Sequence, residues 1–177
     1  MKEKLPASIC LRAALIKVKK LYLPTFIIVL AVYLDQLTKW LAVTYLKNAV
    51  SFPIIKDVLH LTYLENTGAA FGSFKDHRWV FLIASSVALV AFLFFLYFKT
   101  PKHTLGRISL ALLLGGGIGN MIDRVMLGYV VDFVDFRLIN FAIFNFADAC
   151  VTVGTVLLFI YVIWFMEKTE TEGKPLE

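Results

Sequence analysis

Twenty consecutive residues from Trp79 to Phe98, WVFLIASSVALVAFLFFLYF, carry no charge. An α-helix of about 20 apolar residues is long enough to cross the hydrocarbon core of a bilayer. Three more runs share this character. One starts near Leu21 and stays neutral for fourteen residues until Asp35. Another, ISLALLLGGGIGNMIDRV, follows Arg107 and turns polar only at Asn120. The last runs from about Phe146 to Met166 and is uncharged for eighteen residues after Asp148. The long connection over 44–78 contains VLHLTYL at 58–64, whose alternation suits a half-buried strand. The pattern predicts an all-α membrane protein of four transmembrane helices, with a small β-containing extracytoplasmic surface subdomain. It divides the chain into a basic cytoplasmic leader (1–20), a single four-helix domain (21–166, with the outer loop and small sheet at about 44–78) and a polar cytoplasmic tail (167–177). The tail, EKTETEGKPLE, has too little apolar surface to fold by itself.

Composition supports lipid as the solvent: 59% of the residues are hydrophobic, against 45–50% in an ordinary soluble domain. The net charge of +5 does not point to nucleic acid. Its excess sits in the first twenty residues, as Lys2, Lys4, Arg12, Lys17, Lys19 and Lys20, directly before an apolar run. With four spans, both termini share a side with the 99–107 loop. That side carries eleven cations against six on the other, which places both ends in the cytoplasm. No A-x-A-like site follows the first run, and Asp35 and Lys39 interrupt it, so it reads as a retained anchor. Cys10, Cys150, His60, His77 and His103 show no metal-ligand spacing, and neither a metal nor a cofactor is expected.

The remaining polar residues gather at one depth. Asp35 and Lys39 fall at the outer end of the first span. Asn66 lies in the outer loop. Asn120, Asp123 and Arg124 end the third span, Asp132 and Asp135 lie just beyond it, and Asn145 and Asp148 open the fourth. Ionisable residues at such positions are functional hypotheses by default, yet most have a structural reading too. Asp35 and Lys39 form an i, i+4 pair with the acid first. Arg124 can neutralise Asp123, and a paired carboxylate is a poor general base. Asn145 and Asp148 resemble an N-cap and its third-position acid. Asp135 has Arg137 nearby. Asp132, in YVVDFVDF, has no cation within four residues.

Two carboxylates brought close cannot both stay ionised, so one becomes a base and the other holds a proton. Asp132 and Asp148 are the candidates, with Asp148 carrying the charge and Asp132 the proton, the pair titrating as a unit. Such a pair can activate water against an amide. Nothing suggests a nucleophilic Ser or Cys, since there is no G-x-S-x-G and no Cys–His pairing.

Five segments in order, DQLTKW (35–40), NTGAAFG (66–72), GGGIGNMIDRV (115–125), GYVVDF (128–133) and FNFADACVTVG (144–154), resemble those of the bacterial lipoprotein signal peptidases, or signal peptidase II. The resemblance implies a four-helix aspartyl endopeptidase of the bacterial cytoplasmic (inner) membrane, with its active site near the outer face. It would cut diacylglyceryl-modified prolipoproteins just before the lipidated cysteine. Asp132 and Asp148 would be catalytic. Asp35, Lys39, Asn66, Gly68, Asn120, Asp123, Arg124 and Asn145 would support the site or the substrate. Membrane lipid and the prolipoprotein are the implied partners, with the chain acting as a monomer. Two other classes compete. A transporter or proton channel would also use intramembrane polar residues, but these form one layer and leave no path across the other half of the bilayer. A non-catalytic assembly protein would explain the glycines of LLLGGGIG (112–119) but not Asp132 and Asp148.

Overall fold

The computed structural model describes residues 7–49, 51–68, 78–139 and 141–166. In chain order it forms α1 (Ala7–Leu46), β1 (Phe52–Ile55), β2 (Leu59–Asn66), α2 (Arg78–Tyr97), α3 (Thr104–Met126), β3 (Val130–Phe136) and α4 (Phe146–Tyr161). A short 3-10 turn follows β3, and α4 ends in a wider π turn over Val162–Met166. Among the described residues, Lys20–Leu46, Thr104–Met126 and Phe146–Phe165 are helical, long and apolar enough to cross a membrane, while the apolar part of α2, Leu82–Tyr97, is shorter. The expected tail and residues 69–72 of the NTGAAFG segment lie outside the described residues.

Helix α1 extends well before the apolar run that begins at Leu21. Its extra turns, from Ala7, contain good helix formers and neither glycine nor proline. Pro24 lies inside the helix and has no N–H to give to the carbonyl four residues back. That carbonyl, of Lys20, instead accepts from Arg107 Nη1 at 3.0 Å. The helix has two distinct faces. Tyr22, Phe26, Val29 and Tyr33 are exposed at helical spacing and form a lipid-facing stripe. Pro24, Ala31, Asp35, Lys39 and Ala42 are buried on the other side. The charged side chains therefore share the buried stripe with alanines, which sends them toward the protein and away from lipid.

Helix α3 is central and packs against α1, α2 and α4. Hydrophobic transfer drives little helix association within lipid, so close van der Waals contact has to do it. The glycines of GGGIG permit that contact. A Cβ at Gly115 would lie 2.6 Å from the Ala31 Cβ, and one at Gly116 would meet the Ala147 carbonyl. At Gly119 it would collide with the Asp35 carboxylate. On the other side of α3, Leu96, Leu110 and Leu114 are buried with Ile28, Leu89 and Leu158 packed around them.

The sheet is antiparallel, in the order β1-β2-β3. The expected strand at 58–64 is β2, but the sheet does not lie wholly within 44–78. Its third strand is the VVDFVDF of YVVDFVDF, more than sixty residues further along the chain. Partners Asn66↔Val130, Leu64↔Asp132 and His60↔Asp135 set the register, with a bulge between Leu61 and Leu64. On its far edge β3 is bridged by Phe144, whose N–H donates to the Val134 carbonyl at 3.1 Å and whose carbonyl accepts from Val134 N at 2.8 Å. Asp132 is thus held on a strand with neighbours on both sides. The opposite face of the sheet packs Val131, Leu61 and Tyr63 on Ala42 and Leu46 of α1.

Candidate active site

Helices α1 and α3 bring their C-terminal parts to the same end at which α4 begins, and β3 lies across it. Asp132 is 1% exposed. Its Oδ1 accepts from Asn145 Nδ2 at 2.6 Å and its Oδ2 from Asn66 Nδ2 at 2.8 Å. Asp148 sits in the first turn of α4. Its Oδ1 accepts from Asn120 Nδ2 at 2.8 Å and its Oδ2 from the Asn145 backbone N–H at 3.2 Å. Amides, not cations, hold both carboxylates in these bonds. The charges of Arg124 and Lys39 act on them from outside these bonds, Arg124 on both and Lys39 on Asp132.

Asn145 joins the two halves. Its Oδ1 accepts from the Asp148 N–H at 3.0 Å, completing a reciprocal capping box at the start of α4. Its Nδ2 donates to Asp132 and also to Asn120 Oδ1, the latter at 3.1 Å. The capping pattern expected from sequence is present, and it coexists with a second task. The residue that starts the helix also ties Asp148 to Asp132.

Behind this layer lies a buried ionic cluster. Lys39 Nζ is 2.8 Å from Asp35 Oδ2 and 3.0 Å from Asp123 Oδ2, and it donates to Asn120 Oδ1 at 2.9 Å. Asp35 Oδ1 accepts from the Ala147 N–H of α4 at 3.0 Å, and Asp123 Oδ2 from the Val131 N–H of β3 at 3.1 Å. The sequence pairs Asp123 with its neighbour Arg124; the structure keeps an electrostatic interaction between them and adds the close ion pair with Lys39 from α1. The Arg124 guanidinium donates to the Asn120 carbonyl at 3.4 Å. Asp135 pairs with Arg137 Nε at 2.8 Å, as its position suggests, and also accepts from Thr62 Oγ1 at 2.8 Å. Those bonds outweigh the cost of burial and hold its carboxyl below the usual range.

A cavity of about 500 Å³ opens in front of the aspartates. Asn66, Gly68, Asn120, Arg124, Asp132 and Asp148 line its polar side, and Val130, Ile143, Val151 and Val153 contribute apolar wall. Asp35, Lys39, Asp123 and Asn145 do not line it; they brace it from behind. Sequence reasoning missed Gln36, whose Nε2 lies within hydrogen-bond reach of Asp35 Oδ2 (3.2 Å), Asp123 Oδ1 (3.0 Å) and the Gly119 carbonyl (3.3 Å). The available signal was a polar side chain between two apolar stretches of one span. Nothing in the sequence marked 141–144 as cavity wall.

Burial pushes the Asp132 carboxyl up to about 6. The Asn66 bond opposes the rise, the Asp148 charge adds to it, and Asn145 and Lys39 oppose it. A carboxyl in that range is poised to give and retake a proton near neutrality.

Helices of spanning length packed around one buried acidic layer define a multi-pass membrane protein. The signal peptidase II (SPase II) family model matches residues 27–164. A lipoprotein signal peptidase of Clostridioides difficile (strain 630) is 48% identical over 145 residues, covering 81% of this chain and 96% of that protein. One from Halothermothrix orenii is 42% identical over 142 residues, covering 80% and 95%. A solved bacterial membrane enzyme, 33% identical, superposes with a TM-score of 0.75 over 87% of this chain and 93% of that one. The chain belongs to the signal peptidase II family and is a membrane peptidase.

Proposed function

We propose that the chain is an aspartyl endopeptidase that removes the signal peptide from diacylglyceryl-modified prolipoproteins, cutting before the lipidated cysteine. The observation that carries this reading is the pair Asp132 and Asp148, tied together by Asn145 and facing one apolar-walled cavity. The Asp148 carboxylate takes a proton from water as the water oxygen attacks the scissile carbonyl carbon. Asp132 gives its proton to the carbonyl oxygen, forming a tetrahedral diol. Collapse of the diol breaks the C–N bond, and a proton from the pair reaches the leaving amine. Membership of the signal peptidase II family, whose relatives are lipoprotein signal peptidases, supports the substrate class.

In this reading α2 is the fourth span, both termini are cytoplasmic, and the sheet rests on the outer surface of the bacterial inner membrane. The domain limits are then 1–20, 21–166 and 167–177, and one chain suffices for activity. Signal-peptide cleavage sites lie near that surface, so a site at the ends of α1 and α3 needs little extraction of substrate from lipid. The apolar wall of the cavity suits the acyl-bearing glyceryl group, and Arg124 and Asn66 can contact peptide carbonyls.

Purified chain in detergent is expected to cut a diacylglyceryl-modified prolipoprotein and leave its unmodified precursor intact, as read by the mobility shift of the product. Equal cutting of both would remove the lipid from the recognition. A second expectation concerns pH. The working form carries one proton on the pair, and above about pH 6 Asp132 loses it. The kcat/KM of the free enzyme should therefore fall about tenfold per pH unit on that side. A flat profile from pH 6 to 8 would argue against Asp132 as the proton donor.

A further inference from the structure

We propose that Lys39 is a positioning residue that holds the Asn120 side-chain amide with its NH2 group turned toward Asp148. The inference rests on Asp132 and Asp148 acting as the catalytic pair.

A side-chain amide presents a donor at one end and an acceptor at the other, with nearly the same shape either way. Two donors converge on Asn120 Oδ1, Lys39 Nζ at 2.9 Å and Asn145 Nδ2 at 3.1 Å. Asn120 Nδ2 then points at Asp148 Oδ1, 2.8 Å away. Turned over, the amide would set an oxygen against the Asp148 carboxylate and an NH2 group against an ammonium. Lys39 supplies the charge-assisted bond of the two, which is the stronger kind.

The lysine is itself fully specified. An ammonium has three N–H donors, and Lys39 meets three acceptors, on Asp35, Asp123 and Asn120. Asp35 is anchored to α4 through the Ala147 N–H, and Asp123 to β3 through the Val131 N–H. Lys39 is 3% exposed and outside the cavity lining, and its three bonds reach neither candidate catalytic carboxylate. The charged groups it meets are Asp35 on α1 and Asp123 on α3 by ion pairs, and Asp132 on β3 across space. Its bonds reach the pair through Asn120, while its charge also acts across space on Asp132. It gives α1, which contributes no side chain to the cavity, a hand in setting the base.

The test is a double-mutant cycle on the full chain, with kcat and KM measured separately on a diacylglyceryl-modified prolipoprotein. Lys39→Met should lower kcat by about 100-fold and leave KM within about twofold. Combined with Asn120→Ala, it should add little to the loss caused by Asn120→Ala alone, because both remove the same oriented donor. Multiplying losses, a loss confined to KM, or near-parent kcat in Lys39→Met would each overturn the proposal.

Lys39→Met leaves Asp35 and Asp123 uncompensated, so a charge-balanced variant is needed beside it. Lys39→Met with Asp35→Asn keeps the net charge of that trio at −1. It should fold and show the same kcat loss and the same non-additivity with Asn120→Ala. Recovery of parent kcat would reduce Lys39 to charge neutralisation, and failure to fold would make it a structural prop; both overturn the proposal. A parent chain that cuts nothing would instead sink the protease reading, and this inference with it.

Discussion

Asp132→Asn and Asp148→Asn should each lower turnover of a diacylglyceryl-modified prolipoprotein by roughly 10³- to 10⁴-fold, with the chain still folded. Asparagine preserves the shape of both side chains, so a large loss would report lost proton transfer and not a cavity. At position 132 the new amide can still accept one bond, from Asn145 or Asn66. At position 148 it can accept from the Asn145 N–H while the residue's own N–H still donates to Asn145 Oδ1, so the capping box can persist. The two effects should not multiply in the double variant, because either substitution disables the shared proton relay. Near-parent turnover in one variant would make that aspartate structural. Asp123 would be a poor replacement for it: it lies outside the cavity lining and is engaged by Lys39, Gln36 and the Val131 N–H.

Asn145→Ala is expected to have the next largest effect, and on two quantities at once. It deletes the bonds to Asp132 (2.6 Å), to Asn120 (3.1 Å) and from the Asp148 N–H (3.0 Å). Loss of the cap alone destabilises a helix start by about 1 kcal/mol, and unsatisfied buried groups add about 1–3 kcal/mol. Turnover should fall about 100-fold or more, because both carboxylates lose a shared anchor. Asn145→Ser separates the two contributions. Its hydroxyl can still accept from the Asp148 N–H, so thermal stability should suffer less. It is too short to donate to Asp132 and Asn120, so turnover should still collapse. Equal recovery of stability and turnover in Asn145→Ser would show that capping is the residue's whole contribution.

Much of this was legible along the chain because lipid imposes a simple rule. A spanning helix must be apolar for about 20 residues, so the spanning runs, and every polar residue that interrupts them, stand out. The capping box at Asn145 and Asp148 and the i, i+4 pair of Asp35 and Lys39 are local patterns, and both are present as read. Gln36 went unassigned because its partners on α3 are more than eighty residues away.

By itself, then, the sequence determined the features that solvent and local geometry impose: the apolar helices, their polar ends at one depth, and the helix start that contains Asp148. Tertiary structure alone decided which side chains face the cavity and which stand behind it. It made VVDFVDF the third strand of the sheet, since strand pairing over such a separation depends on a partner that no local pattern names. It gave Asp123 its close ion pair with Lys39 and left Arg124 a longer-range partner, because adjacent residues on a helix point about 100° apart while a side chain from α1 can reach straight across. It also brought Asn66, Asn120 and Asn145 onto the two aspartates. A buried amide takes its partners from whatever the fold places within about 3 Å, and here those are the two carboxylates on which the proposed chemistry depends.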